Sequence, residues 1–233
     1  MNFLSFFEKL SWLEWIIFSL ISNTFLYLFS IGVYLFIDKT CSKQRIQTTD
    51  HPFLKSDLYV SFLTLFLNSM VMLTGVYLWK SGWILLNESK TILTQFIETV
   101  SIILVMDLLM YIFHYLAHHP FIYKILHRKH HGHMSTNFLS LFVLHPFETL
   151  GFGLMMIFVF MFYDFSVFSI TIYLFINLIW GTIGHLNREF FPKWMEQLFL
   201  GTTKFHNQHH LNKQRNFGFY TSIWDRMFGT YKA

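Results

Sequence analysis

The amino-acid sequence predicts an all-α integral membrane protein, a helical bundle of about four membrane spans that carries a cytosolic, histidine-rich metal cap. The first observation is the composition: 54% of the 233 residues are hydrophobic and 13% are charged, whereas about a quarter of the residues in a water-soluble domain are charged. The second is the content of 13 histidines, most of which fall in short clusters. The single cysteine excludes an internal disulfide and a CxxC zinc pair. Any metal site must therefore use nitrogen and oxygen ligands.

Long apolar segments predict the membrane spans, because about 20 mostly apolar residues cross the hydrocarbon core of a bilayer. The first three predicted spans cover residues 12–37, 58–79 and 92–117. The apolar region 147–183 is too long for one span and contains Asp164. We therefore expect a hairpin of two helices there, with a turn near Asp164 and with arms that are short or tilted.

The distribution of positive charges predicts the orientation, because Lys and Arg are enriched in cytoplasmic loops. If both histidine-rich segments face the cytoplasm, only Lys9, Lys80 and Lys90 of the 17 Lys and Arg residues lie on the opposite side. The basic residues form no stripe interleaved with exposed aromatics, so nucleic acid is not an expected partner. We expect a multi-pass protein of the bacterial inner membrane or the endoplasmic reticulum, with its metal site facing the cytoplasm.

Three histidine motifs indicate a metal centre: HxxxH at 114–118 and HxxHH at 127–131 and 206–210. Side chains three or four residues apart lie on one face of a helix, so each motif directs its imidazoles into one small volume. The eight residues exceed what one tetrahedral or octahedral ion binds, which favours two ions; imidazole suits iron, zinc, copper and nickel. These candidate ligands are His114, His118, His127, His130, His131, His206, His209 and His210.

Asp107 and Tyr111 lie on the same predicted helix face as His114 and His118. A carboxylate at membrane depth is costly and needs a partner. We expect Asp107 to orient a ligand histidine through the ring nitrogen that does not bind metal. Clustered histidines also suit an interfacial pH sensor or a non-catalytic metal-binding sensor or transporter. A transporter would place its ligands near mid-membrane, whereas most of these histidines flank the spans.

The motifs resemble those of the fatty acid hydroxylase/sterol desaturase superfamily of membrane-bound di-iron oxygenases. The resemblance covers about residues 100–233 and includes HPFE at 145–148, GTIGH at 181–185 and NFGFYTSIWDRMFGTY at 216–231. Acyl-lipid and acyl-CoA desaturases share the histidine motifs but not the ending in WDxxFGT. Residues 1–90 match only as N-terminal membrane spans, and residues 91–233 form the fatty acid hydroxylase-like catalytic region of a single domain.

The resemblance implies that the eight histidines hold two iron ions, which zinc can replace in isolated protein, and it adds His185 as a ninth ligand. It leaves His145 as either a ligand or a residue that supports one by a hydrogen bond. Glu148 and Asp225 are further supporting or structural candidates, beside Asp107 and Tyr111. No role follows for His119 and His133, and His51 is expected to be an ordinary loop residue.

The resemblance also implies the reaction: hydroxylation or desaturation of a lipid by dioxygen, with the lipid arriving from the bilayer through an apolar cavity. Sterol, fatty acyl, sphingoid and ether lipids are all possible substrates. Electrons would come from a separate donor of the cytochrome b5, ferredoxin or reductase type. A carotenoid-type ring hydroxylase and a non-catalytic metal-binding membrane protein remain alternatives.

Overall fold

The computed structural model describes residues 3–232, within which the chain forms nine α-helices and one pair of two-residue strands. The all-α prediction is confirmed apart from this pair, β1 (Leu86–Asn87) and β2 (Phe165–Ser166), which is parallel. The helices are α1 (Phe3–Glu8), α2 (Trp12–Thr40), α3 (Lys55–Lys80), α4 (Ile92–Ala117), α5 (Pro120–Leu126), α6 (Pro146–Phe160), α7 (Val167–Gly184), α8 (Thr203–Leu211) and α9 (Ile223–Met227).

Within the described residues, four helices are long and apolar enough to cross a membrane: α2, α3, α4 and α7. The bounds of α4 agree with the predicted third span, and α2 and α3 run slightly beyond theirs. The predicted hairpin is also present, because α6 and α7 are joined by a turn that contains Asp164. Its first arm, α6, is the short one.

Polar side chains cap the N-termini of three of the four long helices, α2, α4 and α7. Ser11 caps α2: its hydroxyl accepts a hydrogen bond from the Glu14 amide, and the Glu14 carboxylate accepts one from the Ser11 amide at 2.8 Å. This reciprocal pair satisfies two amides that the first helical turn leaves unpaired. The hydroxyls of Thr91 and Ser166 cap α4 and α7 by accepting a hydrogen bond from the Thr94 and Phe168 amides, respectively.

The helices pack so that α2 contacts α3 and α7, α3 contacts α6, and α4 contacts α6 and α7. The largest buried apolar cluster lies between these helices and includes Ile102, Met106 and Tyr173. The charge within α4 is compensated, because the Glu98 carboxylate lies 2.6 Å from the Lys90 ammonium and accepts a hydrogen bond from the Ser166 amide. The ends of α4 and α7 meet α5 and α8 at one end of the bundle, where the histidine motifs lie.

The two HxxHH motifs have different local structures. The second lies wholly inside α8. The first begins at His127, directly after α5, and continues into a 3₁₀ turn, His130–Gly132. A hydrogen bond from the His131 amide to the His127 carbonyl, 3.2 Å long, keeps this segment in a helical turn. Both segments therefore present histidines on more than one side of a short turn.

Candidate metal centre

All nine histidines predicted as ligands come together in two groups, each with ring nitrogens within 4.8 Å of one another. The "five-His group" takes residues from α4, the first HxxHH motif and α8. The "four-His group" takes residues from the first HxxHH motif, the end of α7 and α8. The five-His group is His114, His118, His127, His131 and His209; the four-His group is His130, His185, His206 and His210.

Each HxxHH motif serves both groups. Neighbouring residues on a helical turn are rotated by about 100°, so His130 and His131 point to different groups, as do His209 and His210. The two groups nevertheless adjoin, because the ring centroids of His131 and His210 are 5.0 Å apart. The paired histidines at the end of each motif therefore build one composite centre with two halves.

Backbone carbonyls determine which ring nitrogens face the centre. The Nδ1 atoms of His114, His209 and His185 lie 2.9, 2.7 and 2.8 Å from the carbonyl oxygens of Phe217, Arg215 and Gly181. A carbonyl oxygen only accepts hydrogen bonds, so each Nδ1 carries the proton. In a neutral ring, the Nε2 atom then presents a lone pair to the centre. This arrangement is typical of metal-binding histidines, whose second nitrogen donates to a fixed acceptor.

The Nε2 atoms of the five-His group converge on one small volume. His114 Nε2 and His127 Nε2 are 2.9 Å apart, and His118 Nε2 and His131 Nε2 are 3.1 Å apart. His127 Nδ1 lies 2.6 Å from Glu148 Oε1, so this carboxylate orients the His127 ring, as expected for a residue that supports a ligand. A cation placed between these nitrogens would be coordinated by them.

The four-His group converges in the same manner. His206 Nε2 lies 3.2 Å from His185 Nε2 and 3.1 Å from His210 Nε2. Across both groups, several ring nitrogens are buried without a hydrogen-bond partner, which is costly for a polar atom. They are His130 Nδ1, His131 Nδ1, His209 Nε2 and His210 Nδ1.

Burial also keeps these imidazoles neutral. Desolvation lowers the pKa of His118 to about 2 and that of His185 to about 4. For the other ligand candidates outside the spans, burial holds the pKa well below the ordinary value of 6.5, as for His127, His130 and His206. A metal ion needs the unprotonated ring. The nitrogen-only donor set therefore fits two divalent transition metals and leaves iron, zinc, copper and nickel open.

Phe217 lies against the five-His group, with ring centroids 5.7 Å from His114, 5.2 Å from His118 and 5.6 Å from His209. Its other neighbours include Tyr115, at 5.3 Å. Tyr115 lines a groove of about 390 Å³, whose other lining residues are Tyr111, Ile112, Leu116, Phe228 and Thr230. Phe217 and Tyr115 therefore lie between the five-His group and an apolar groove at the end of α4.

The prediction that Asp107 orients a ligand histidine is wrong. Its carboxylate accepts hydrogen bonds from the Tyr220 and Thr221 amides at 2.8 and 3.2 Å, and from the Thr221 hydroxyl. The physical reason is that the C-terminal segment folds back against α4 and supplies donors that local spacing does not reveal. Asp107 acts on the centre only indirectly, through the segment that carries Phe217.

The other proposed supporting residues are also placed by the structure. The Asp225 carboxylate accepts from the amides of Phe217 and Gly218, so it shapes the turn that presents Phe217. The Tyr111 hydroxyl lies 3.1 Å from the Thr230 hydroxyl and bonds no ligand histidine among residues 3–232. His145 caps α6, where its Nδ1 accepts from the Phe147 amide, and it lies outside both groups.

Sequence reasoning missed a third cluster. His51, expected to be an ordinary loop residue, lies with Asp57 and His133 in a separate group of potential ligands. His133 is far from His51 and Asp57 in sequence, and the three residues share no spacing motif, so no local signal pointed to them. His119, by contrast, is exposed and belongs to none of the ligand groups found within residues 3–232.

Comparison with known proteins agrees with this centre. The fatty acid hydroxylase family model matches residues 99–230, and the chain belongs to this family. It is 34% identical over 135 residues to Protein CER1-like 2 of Arabidopsis thaliana, covering 53% of this chain and 22% of that protein. It is 31% identical over 127 residues to the Delta(7)-sterol 5(6)-desaturase of Leptosphaeria maculans, covering 54% and 34%.

The human Lathosterol oxidase is 31% identical over 140 residues, which cover 58% of this chain and 45% of that protein. The matched region thus spans less than half the length of each of these relatives. No solved structure matches the chain.

Proposed function

We propose that this chain is a membrane-bound di-iron oxidoreductase that hydroxylates or desaturates a lipid, using dioxygen and electrons from a separate donor. The observation that supports it most is the pair of adjoining, buried histidine groups at one end of the helical bundle. Membership of the fatty acid hydroxylase family supports the lipid substrate class. The names of two relatives, a sterol desaturase and a lathosterol oxidase, make a sterol one candidate beside fatty acyl, sphingoid and ether lipids.

Two bound irons would supply the redox chemistry needed to break an unactivated C–H bond, which amino-acid side chains cannot supply. The chain's own residues would hold and surround them. The two histidine groups offer neutral nitrogens, and Glu148 fixes the orientation of the His127 ring. Phe217, which is 1% exposed, keeps water from the groove side of the five-His group. Positioning of the target carbon then decides between hydroxylation and desaturation.

The groove beside Phe217 is the proposed route of the lipid to the centre. Its volume of about 390 Å³ falls within the range of small-molecule sites, about 300–1,000 Å³. Three of its apolar side chains, Ile112, Leu116 and Phe228, are 44%, 52% and 60% exposed. An apolar opening at the end of a membrane-spanning helix suits a substrate that arrives from the bilayer.

A bulky substitution tests this route. We expect Leu116→Trp to fill the groove and to lower product formation several-fold while metal content stays unchanged. Ile97→Trp is the matched control, because Ile97 is also on α4 and is 55% exposed but lies outside the groove. Equal activity of both variants would exclude this groove as the route.

The orientation and the electron donor are parts of the same proposal. The excess of Lys and Arg in the histidine-rich segments supports a cytoplasmic position for the metal centre. A soluble or membrane-bound carrier of the cytochrome b5, ferredoxin or reductase type would deliver electrons there. Labelling of Cys41, the single cysteine, from either side of sealed vesicles measures the orientation, since it precedes α3 on the predicted cytoplasmic side.

The first experiment is an untargeted lipid mass comparison, in air, of cells that express this chain and cells that express His209→Ala. A lipid heavier by one oxygen and absent from the variant would show hydroxylation and name the substrate class. A lipid lighter by two hydrogens would show desaturation. Identical lipids, measured with a matched reductase present, would contradict the proposal and favour a non-catalytic metal-binding protein.

A further inference from the structure

We propose that His51, Asp57 and His133 form a third divalent-metal site of the zinc type, separate from the nine-histidine centre. His51 lies in the loop between α2 and α3, Asp57 lies in the first turn of α3, and His133 follows the first HxxHH motif. Their ligand atoms lie within 4.8 Å of one another. His51 and Asp57 precede residue 99, where the match to the family model begins.

The separations are those of ligands around an ion. His133 Nε2 lies 3.3 Å and His51 Nε2 lies 3.6 Å from the same oxygen, Asp57 Oδ2. A distance of 3.6 Å is too long for a hydrogen bond. Zinc–nitrogen and zinc–oxygen bonds of about 2.0–2.2 Å place tetrahedral ligands about 3.4 Å apart. The three atoms are therefore spaced to share an ion.

Hydrogen bonding holds the His133 ring in place. Its Nδ1 lies 2.9 Å from the Ser140 hydroxyl oxygen. That oxygen also accepts a hydrogen bond from the Asn137 amide at 2.8 Å. These contacts orient the His133 ring with its Nε2 atom toward Asp57 Oδ2. In the tautomer that carries the proton on Nδ1, the Nε2 lone pair is available to a metal ion. In that tautomer the lone pair faces a carboxylate oxygen, and a cation between the two atoms would stabilise this arrangement.

Two polar atoms of the cluster are unsatisfied. Both His51 Nε2 and Asp57 Oδ2 are buried without a hydrogen-bond partner, and Asp57 is only 3% exposed. An unpaired buried carboxylate oxygen is among the more costly features of a folded protein. The imidazoles of His51 and His133 stack with their ring centroids 3.7 Å apart, and both Nε2 atoms lie on the side that faces Asp57. A modest tilt of His51, which lies in a loop, directs both lone pairs at one ion.

An ion here would connect the loop between α2 and α3 to the segment that follows the first HxxHH motif. The loop that carries His51 already contacts this segment, since the His51 amide donates to the Thr136 carbonyl and the Asn137 side chain donates to the His51 carbonyl. His133 is two residues from His131 of the five-His group. Three protein ligands leave the fourth position of a tetrahedral ion to water. The site would therefore brace the segment that follows the first HxxHH motif.

Zinc stoichiometry tests the proposal. Metal-depleted full-length protein in detergent is titrated with Zn²⁺ by equilibrium dialysis, with Asp57→Asn and His51→Gln as variants and His119→Gln as the matched histidine control. We expect each of the two variants to bind one zinc fewer per chain than wild type, and the control to equal wild type. Asp57→Asn is nearly isosteric, and His51→Gln changes a loop residue, so helical circular dichroism should be unchanged.

The same comparison in a His209→Ala, His210→Ala background separates this site from the nine-histidine centre. The difference of one zinc caused by Asp57→Asn should persist there, whatever the main centre binds. Equal zinc binding by wild type and both variants would overturn the proposal. The cluster would then be an ion pair between Asp57 and a protonated histidine. A difference that vanishes in the double-alanine background would also overturn it, because the effect would then belong to the main centre.

Discussion

The five-His and four-His groups are built from the same two motifs, yet their surroundings differ. The five-His group borders Phe217, whose neighbour Tyr115 lines the groove at the end of α4. The ring contacts that the structure shows for the four-His group, within residues 3–232, are with other histidines. His114 is half-buried, whereas all members of the four-His group are buried. One half of the centre thus lies near the groove, and the other is enclosed by histidines.

The two groups are also supported differently. A carboxylate, Glu148, orients one histidine of the five-His group, and the backbone carbonyls of Phe217 and Arg215 orient two more. In the four-His group, the Gly181 carbonyl orients His185. Side-chain support can be removed by substitution, whereas a backbone carbonyl inside a helix cannot. The five-His group is therefore the half of the centre that single substitutions outside the ligands can change.

The largest expected effect comes from removing one ligand from each group. His209→Ala and His210→Ala alter neighbouring residues of α8 but different groups. We expect each variant to lose about one metal ion and more than about 100-fold of product formation, since even supporting residues contribute about 10–100-fold. The double variant should lose both ions. Elemental analysis of the purified proteins measures this; loss of both ions from one single variant would contradict two separable groups.

Glu148 should matter to one group alone. We expect Glu148→Ala to weaken metal binding in the five-His group by about 10–100-fold, because the His127 ring loses its acceptor, and to leave the four-His group unchanged. Glu148→Gln should be milder, since its amide oxygen can still accept from His127 Nδ1. Competition with a chelator would resolve the two affinities. Glu196→Ala, at an exposed ion pair with Lys204, is the control. An effect of Glu148→Ala on both groups would contradict the assignment of Glu148 to the five-His group alone.

Asp107 should affect the five-His group through the C-terminal segment. Asp107→Ala leaves the buried amides of Tyr220 and Thr221 without an acceptor, which costs about 1–3 kcal/mol for each. We expect a lower melting temperature and faster metal loss from the five-His group. Asp107→Asn keeps an oxygen that can accept from both amides and should be less damaging. Equal effects of the two substitutions would show that the charge, rather than these hydrogen bonds, is what α4 requires.

Asp107 shows which parts of the site a sequence can predict. The histidine motifs were predictable because helical periodicity relates residues one turn apart, and the spans were predictable because hydropathy is local. The partners of Asp107 lie 113 and 114 positions away, and nothing in the spacing of α4 identifies them. The cluster of His51, Asp57 and His133 was missed for the same reason. Contacts that tertiary folding alone creates leave no periodic signal.

The smallest expected effect concerns Tyr111, which lines the groove near the five-His group. Tyr111→Phe removes one hydrogen bond, between the Tyr111 and Thr230 hydroxyls, which contributes about 0.5–1.5 kcal/mol. The ring remains, so its stacking on Phe228 at 5.5 Å and its edge contact with Phe217 are preserved. We expect a small decrease in melting temperature with full metal content in both groups. Metal loss from the five-His group would instead mean that the Tyr111–Thr230 hydrogen bond holds in place the segment that covers this group. The groove would then be part of the metal site.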